Sequence, residues 1–283
     1  MSFTPHFPDL TPVDEYNGIF YKRDDFYAPY ENFITGGKIR QCRDLVEKNL
    51  DYIHDKCNST ISTAASIHSP QSPIVSRVAQ EFGLKSIIGF GNTTIEKALK
   101  HKMMQKCKEL GSELVVLSES QGFNNVLYHN LHKLSETTPM FKILFGYAAQ
   151  SHRESIITRI AEQIENVDCD VLYVPVGSGV TLSGILEGVK MFQKQFKVIG
   201  LHPFGHDRRK TIHGILEGMI WEYDYDFKMG KYSYNKLLKK NIVQGQFGFD
   251  LDMVYESKSY DMIEFDKGEK SCFWCIGNSN LFR

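Results

Sequence analysis

Short apolar runs alternate with helical stretches through the middle of the chain. The apolar runs are strand-like and occupy residues 59–66, 85–90, 112–117, 170–176 and 197–204. Stretches with helical spacing lie between them, at 72–83, 94–111 and 181–195. Gly83 and Gly111 each come directly before the next strand, where glycine commonly ends a helix. This alternation predicts βα units on parallel sheets, so the expected class is α/β with two sheets.

Composition indicates a folded protein without a strong overall charge. The chain has 283 residues, of which 42% are hydrophobic and 24% charged, which excludes a disordered tail. Its 33 Lys and Arg against 34 Asp and Glu give a net charge of −1, too little to draw the whole protein to a polyanion. No apolar run approaches the roughly 20 residues that span a bilayer, and the opening lacks the features of a secretion signal. We therefore expect a soluble, cytoplasmic protein without a membrane partner.

Two pairs of residues have spacings that metal ligands also show. Cys272 and Cys275 form the one close pair among six cysteines. Their surroundings predict a strand, on which residues three apart point to opposite faces, so a metal or redox role is disfavoured. His129 and His132 can share one helix face, but no third ligand is suggested. We expect reduced thiols and no metal site.

Basic residues cluster at 97–108, 206–210 and 236–240. In the first cluster Leu99, Met103, Met104 and Cys107 recur at helical spacing. Its lysines therefore fit the solvated face of an amphipathic helix. The same interpretation is simplest for the other two clusters, with a modest anion-binding surface as the alternative.

A glycine-rich loop after the apolar run 170–176 is the strongest local signal. The loop and the start of the next helix comprise Gly177, Ser178, Gly179, Val180, Thr181, Leu182, Ser183 and Gly184. Glycines let the backbone turn sharply and gather several N–H groups, and the following helix adds its partial positive charge. The pattern predicts a phosphate cradle, to which the Ser178 and Thr181 hydroxyls can also donate.

The loop does not match the common nucleotide-binding motifs. No GK[ST] follows, and the glycine spacing is not that of GxGxxG. A nucleoside triphosphatase or an ordinary dehydrogenase is therefore disfavoured. A tight strand-to-helix connection without a ligand stays open from this motif alone.

Four sequence blocks follow one another along the chain: YKRDDFYAPYENFITGGKIRQCRDLV, SIHSPQSPIVSRVAQEFGLK, the glycine-rich loop and LDMVYESKSYDMI. In this order they resemble the pyridoxal-phosphate enzymes of the tryptophan-synthase β fold, called fold type II. Within that group the chain is most similar to 1-aminocyclopropane-1-carboxylate deaminase and D-cysteine desulfhydrase, over roughly residues 18–280. The resemblance implies a large domain of residues 1–58 and 156–283, and a small domain of residues 59–155. It also implies a cofactor cleft between the domains and a homodimer.

The resemblance assigns the cofactor, pyridoxal 5′-phosphate, to named residues. Lys38 matches the lysine that holds it as a Schiff base and moves protons at the substrate's α-carbon. The phosphate would be held by Gly177, Ser178, Gly179, Val180 and Thr181. Glu256 matches the carboxylate that keeps the pyridine nitrogen protonated, which stabilises a carbanion in a quinonoid. The alternative interpretation of Glu256 is a surface glutamate on an edge strand.

The resemblance also implies residues on the substrate side. Tyr255 matches a tyrosine that serves as acid, base or substrate clamp, with a plain core aromatic as the alternative. Ser69 matches the serine that receives the substrate carboxylate at a helix start, and Gln71 lies at the same helix start. A simple N-cap role for Ser69 or Ser72 is the competing interpretation.

Two departures from the family pattern limit what the resemblance implies. Pro70 stands where the family has an asparagine that faces the cofactor's phenolic oxygen. Gly37 stands where an asparagine usually precedes the lysine. Cofactor binding is thus better supported than any particular reaction.

Three functions remain open at this stage. The first is deamination or β-elimination of a small amino acid. The second is a decarboxylase or lyase for an amino acid attached to a nucleotide or a modified DNA base, as in some bacteriophage base-modification pathways. The third is a catalytically degenerate protein that still binds the cofactor.

Overall fold

The computed structural model describes residues 10–147, 153–217, 223–234, 236–238, 242–243 and 249–282. The strands are β1 (Val13–Tyr16), β2 (Ile19–Arg23), β3 (Thr60–Ala64), β4 (Lys85–Gly91), β5 (Glu113–Ser118), β6 (Phe141–Ile143), β7 (Val171–Pro175), β8 (Lys197–His202), β9 (Asp226–Met229), β10 (Ile242–Val243), β11 (Phe249–Asp250) and β12 (Ser271–Cys275). The helices are α1 (Gly37–Glu47), α2 (Leu50–Lys56), α3 (Gln71–Glu81), α4 (Ile95–Ala98), α5 (Lys102–Glu109), α6 (Asn124–Thr137), α7 (Arg153–Ala161), α8 (Val180–Met191), α9 (Arg209–Leu216) and α10 (Glu256–Tyr260).

The described residues fall into two units, each built around one larger sheet, and β10 and β11 form a separate antiparallel pair in the first unit. The first unit runs to Gly37 and resumes from Arg153 to Leu281. Its sheet has the order β1-β2-β12-β7-β8-β9, in which only the β1–β2 pair is antiparallel. The second unit starts at Lys38 and holds a parallel sheet of order β5-β4-β3-β6. The predicted α/β class with parallel and mixed sheets is confirmed, and the domain limits of 59 and 155 stay a prediction.

The central strands of the first unit's sheet are buried on both faces, and one core cluster lies along one of these faces. β12 is wholly buried and runs between β2 and β7. Its core cluster consists of Tyr21, Val171, Tyr173, Ile199, Leu201, Leu251, Phe273 and Cys275. Elsewhere in this unit α7 and α8 pack closely. They approach so near that a side chain at Gly184 would overlap Ile160. This packing anchors the helix that follows the glycine-rich loop.

The second unit has a smaller core built on its parallel sheet. The buried cluster consists of Ala64, Ile87, Leu127, Leu131 and Met140. Leu127 and Leu131 lie one turn apart on α6, so this helix turns one apolar stripe to the cluster. The helix α3 buries Ile74, Val75 and Val78, as its helical spacing predicts.

One predicted helix, residues 94–111, is in fact two helices. α4 ends at Ala98 and α5 begins at Lys102, after His101 in an extended conformation (ψ 129°). On a continuous helix, at about 100° per residue, Ala98 would lie opposite Met103, Met104 and Cys107. All four side chains are buried. The break lets both apolar faces reach the interior, which a single helix would not.

Two further sequence expectations concern the glycines at helix ends and the cysteines. Gly83 (φ +67°) and Gly111 (φ +85°) follow α3 and α5 as expected. All six cysteines are free and buried, including Cys272 and Cys275 on β12. Within the described residues no group of His, Cys, Asp and Glu could hold a metal ion. No helix in the described part of the chain has the length and apolar character to cross a bilayer.

Candidate active site

The glycine-rich loop leaves the carboxyl end of β7 beside β8. The Val176 N–H donates to Leu201 O at 2.8 Å, which continues the pairing into the loop. The loop ends at Gly179 (φ +96°), in the left-handed region that glycine adopts without strain. A Cβ at this position would also lie 2.9 Å from Ile212 Cγ1. Only glycine allows both this backbone turn and the close approach of Ile212.

The start of α8 offers N–H groups that the helix itself does not use. The Ser183 N–H donates to Gly179 O at 2.9 Å. The Val180 N–H meets the Ser178 Oγ only at 3.5 Å, a weak hydrogen bond. Gly177, Ser178 and Thr181 are partly exposed, so N–H groups and hydroxyls are accessible at one end of the helix. This arrangement fits a phosphate group such as that of pyridoxal phosphate.

Tyr255 lies against the glycine-rich loop. A Cβ at Gly177 would lie 3.3 Å from Tyr255 Cε1. The Tyr255 ring packs edge-on against Phe204 and Tyr234, with centroids 5.0 and 5.9 Å away. Burial, and after it the charges of Tyr234 and Asp252, raise the pKa of Tyr255 well above its ordinary value. Near neutral pH the phenol is therefore protonated, so it can donate a hydrogen bond but does not start as a base.

Glu256 is the first residue of α10 and only 3% exposed. Its Oε2 accepts a hydrogen bond from the Asp252 N–H at 3.2 Å, and its Oε1 accepts one from the Gly277 N–H at 2.9 Å. Burial, followed by the charges of Asp252 and Asp25, raises the pKa of Glu256 well above its ordinary value. A cationic group beside it would lower that pKa again. The carboxyl group therefore fits a protonated pyridine nitrogen as its partner.

Asp252 organises the turn that carries both Tyr255 and Glu256, and the sequence patterns did not single it out. Its Oδ1 accepts hydrogen bonds from the N–H groups of Val254 (2.9 Å) and Tyr255 (3.2 Å). Its Oδ2 accepts two more from Ser279, at 3.2 Å from N and 2.6 Å from Oγ. An aspartate shortly before a short helix is a known turn signal. Its link to Ser279, however, depends on the fold.

We expect Asp252→Asn to destabilise the protein by about 3 kcal/mol, because an amide NH2 group would face backbone N–H donors in place of one carboxylate oxygen. The free energy of unfolding, measured with urea, checks this. Asp266→Asn is the control, since its Oδ1 accepts a hydrogen bond only from the exposed Gly268 N–H. Equal stability of the two variants would contradict the role of Asp252.

The two glycines before Lys38 are held by the 276–278 segment and by Asp24. Gly36 has a φ of +116°. Its N–H donates to Tyr27 O at 2.8 Å, and the Gly37 N–H donates to Ile276 O at 3.1 Å. A side chain at Gly36 would overlap Ile276 and Gly277, and one at Gly37 would overlap the buried Asp24 carboxylate. The family's asparagine is therefore sterically excluded at Gly37.

The contact with Asp24 predicts that Gly37→Ala lowers the free energy of unfolding by about 2 kcal/mol, because the new methyl group overlaps a buried carboxylate. Thermal or urea unfolding measures this change. Gly268→Ala is the matched control, since a Cβ there would meet only Asp266 Oδ1 at 3.9 Å. If both variants have the same free energy of unfolding, the Asp24 carboxylate does not exclude a side chain at Gly37.

Lys38 begins the second unit as the second residue of α1 and is partly buried. Its backbone follows directly from Gly37, whose surroundings are described above. Its role as Schiff-base lysine stays a prediction.

Ser69 and its neighbours form the start of α3 in the second unit. Ser69 is 7% exposed, and its Oγ accepts the Gln71 N–H at 3.3 Å. Pro70 is the N-cap residue and makes no side-chain cap. Ser72 Oγ is buried and, among the described residues, has no hydrogen-bond partner. The N-cap position thus belongs to Pro70, and the simple N-cap role considered for Ser69 or Ser72 is wrong. The Ser69 O–H remains able to donate, so its contact with the Gln71 N–H does not exclude a substrate role.

The Gln71 side chain is engaged within the second unit. Its Nε2 is 2.7 Å from Thr63 Oγ1 and 3.0 Å from Leu144 O, both of which can accept its hydrogens. Its Oε1 accepts the Gly146 N–H at 3.1 Å. These bonds join β3 to the segment after β6. A structural role explains them fully, and substrate binding by Gln71 stays a prediction.

Several solved structures share the fold of this chain. A homologue of ACC deaminase superposes with a TM-score of 0.73 at 21% identity, covering 96% of this chain and 90% of that one. The O-acetylserine-dependent cystathionine β-synthase from Helicobacter pylori gives 0.61 at 14% identity, covering 93% and 90%. A pyridoxal 5′-phosphate-dependent aspartate racemase gives 0.60 at 14% identity, covering 95% and 90%. The chain has the fold of the fold type II pyridoxal-phosphate enzymes, which confirms the predicted fold.

A curated protein matches in sequence. It is the O-seryl-dTMP PLP-dependent decarboxylase of Salmonella phage ViI, 28% identical over 221 residues that make up 70% of this chain. The chain spans about half the length of that protein, since the match covers 50% of it. No protein-family model matches the chain.

Proposed function

We propose that the chain is a pyridoxal-phosphate-dependent lyase. The observation that carries this is the neighbourhood of the glycine-rich loop, where Gly177 lies against Tyr255 and the buried carboxyl group of Glu256 follows in the chain. A phosphate cradle and a carboxylate that needs a cationic partner are the two anchors this cofactor requires. The shared fold supports the same conclusion.

The cofactor, when bound, withdraws electrons from the substrate's α-carbon. The residues of this chain would bind and orient it. The loop from Gly177 to Thr181 holds the phosphate, and Glu256 keeps a proton on the pyridine nitrogen. Lys38 holds the cofactor through its amine and carries protons to and from the α-carbon. Tyr255 is the neutral donor next to the loop, and Ser69 receives the substrate carboxylate.

For the reaction we propose decarboxylation of an amino acid attached to a nucleotide. The support is the sequence match to the phage O-seryl-dTMP decarboxylase over 70% of the chain. The α-carboxylate leaves as CO2, and a proton takes its place on the α-carbon, so that a primary amine remains. Glu256 suits this step because it would keep the pyridine nitrogen of the cofactor protonated. A protonated ring stabilises the negative charge that develops on the α-carbon.

A second candidate is deamination or β-elimination of a free small amino acid. The pair of Tyr255 and Glu256 favours it, because VYESK matches the deaminase block. The two candidates differ in their products, since the second releases ammonia and the first releases CO2. Both use the same cofactor site.

The test is to purify the protein with added cofactor and record its visible absorption and its products. The substrates are O-seryl-dTMP, D-cysteine, L-serine and aminocyclopropane carboxylate. CO2 from the nucleotide substrate alone supports decarboxylation, and ammonia from a free amino acid supports the second candidate. Colour without turnover indicates the degenerate binder, and a colourless protein contradicts the whole proposal. The expected homodimer is checked by sedimentation of the same sample.

A further inference from the structure

A buried histidine lies beside the glycine-rich loop with one nitrogen unused. His202 ends β8 and is 2% exposed. Its Nδ1 lies 2.7 Å from Val176 O, and because a carbonyl only accepts, Nδ1 carries the proton. Its Nε2 is buried and has no hydrogen-bond partner in the described part of the chain. A buried polar atom without a partner is costly, so this one indicates a ligand.

Arg208 approaches the same place from α9. It is the N-cap residue of that helix, and the Ile212 N–H donates to Arg208 O at 2.9 Å. Ile212 in turn covers Gly179, so Arg208 lies one turn away from the residue that packs on the loop. The Arg208 Nε is buried and has no hydrogen-bond partner among the described residues. Burial lowers the pKa of His202, and the charge of Arg208 lowers it further.

The neighbouring basic residue is different in kind. Arg209 is exposed and forms an ion pair with Asp207 at 2.6 Å. This fits the solvated face that the sequence predicts for residues 206–210. Arg208 is partly buried and does not fit it. The nearby Asp207 carboxylate is thus engaged by Arg209 and not by Arg208.

Aromatic rings pack around His202, whose unprotonated Nε2 is a hydrogen-bond acceptor. Phe204 packs edge-on against His202 at 5.7 Å, and it also meets Tyr255 at 5.0 Å and Tyr234 at 5.3 Å between ring centroids. Phe204 and Tyr234 are partly exposed. The Lys258 Nζ lies 5.0 Å from the Phe204 ring centroid. Partly exposed rings of this kind can stack with a nucleobase.

We propose that Arg208 binds the phosphate of a nucleoside monophosphate substrate, with Phe204 and Tyr234 next to its base and the unprotonated His202 Nε2 accepting a hydrogen bond from an N–H of that base. This inference rests on the proposed function, in which the glycine-rich loop is already used by the cofactor phosphate. A second phosphate near the first is repelled by it, and the Arg208 guanidinium offsets that repulsion. The phosphate also supplies the acceptor that Arg208 Nε lacks.

The test measures binding of thymidine 5′-monophosphate to the holoprotein by calorimetry. We expect Arg208→Gln to weaken this binding about tenfold or more, the loss of a charged hydrogen bond. Arg209→Gln, the matched control, changes it less than about twofold. Thymidine without phosphate binds both variants equally. The affinity for pyridoxal phosphate, followed by visible absorption, stays the same in both.

Other outcomes overturn the inference. If Arg208→Gln weakens cofactor binding and leaves thymidine 5′-monophosphate unaffected, Arg208 serves the cofactor phosphate. If the wild-type holoprotein does not bind the nucleotide, the phosphate site is absent, while its visible absorption still supports the cofactor proposal. Arg208→Lys separates a lost charge from a folding defect. It keeps the charge, so it is expected to bind thymidine 5′-monophosphate more tightly than Arg208→Gln does.

Discussion

Lys38→Ala is expected to remove the visible absorption of the holoprotein and to lower turnover by about 10³-fold or more. In the proposed function the Lys38 amine both holds the cofactor and carries a proton at the α-carbon. Alanine supplies neither group. Cofactor can still bind through its phosphate, because the loop from Gly177 to Thr181 belongs to the other unit and is unchanged. Absorption spectra and single-turnover rates measure the two losses separately.

Lys56→Ala is the control for this experiment. Lys56 ends α2 in the same unit and is exposed, so its loss should leave colour and rate unchanged. Borohydride reduction of the holoprotein followed by peptide mapping adds an independent readout. The label should appear on the peptide that contains Lys38. A label on another lysine, or unchanged colour in Lys38→Ala, would show that the assignment is wrong.

Local periodicity was enough to predict most elements near the site. The runs 170–176 and 197–204 contain β7 and β8, and the stretch 181–195 covers α8 except for its first residue, Val180. Each signal depends on neighbours within a few residues, such as an apolar run or a glycine at a helix end. For the same reason the glycine-rich loop is recognisable from Gly177 to Thr181 without knowledge of the fold.

The features that escaped prediction depend on residues far apart in the chain. Gly277 donates to Glu256 and also lies against Gly36, some 240 positions away in the sequence. That contact exists because β12 pairs with both β2 and β7. Packing likewise determines which groups donate hydrogen bonds to Asp252. It also determines that Asp207 pairs with Arg209 and not with Arg208. A pattern of one residue type or one spacing carries no information about them.

Glu256→Gln is expected to lower turnover by about 10²- to 10³-fold while the protein still binds the cofactor. Glutamine keeps the volume of the side chain but has no charge to hold a proton on the pyridine nitrogen. It also has only one acceptor oxygen, whereas Glu256 accepts from two N–H groups. Rapid-mixing kinetics measure the rate. Glu264→Gln is the control, because Glu264 is exposed after the same helix.

The pH dependence of stability separates this electrostatic role from simple packing. Because the folded protein raises the pKa of Glu256, it binds a proton there more tightly than the unfolded chain does. The stability contributed by this group is therefore present at low pH and is lost as pH rises from the ordinary glutamate range through the raised pKa. Glu256→Gln should remove that slope in the protein without cofactor. Bound cofactor should reduce the slope in the wild type, since a cationic ring nitrogen lowers the pKa of Glu256. If the cofactor leaves the slope unchanged, Glu256 does not face the pyridine nitrogen.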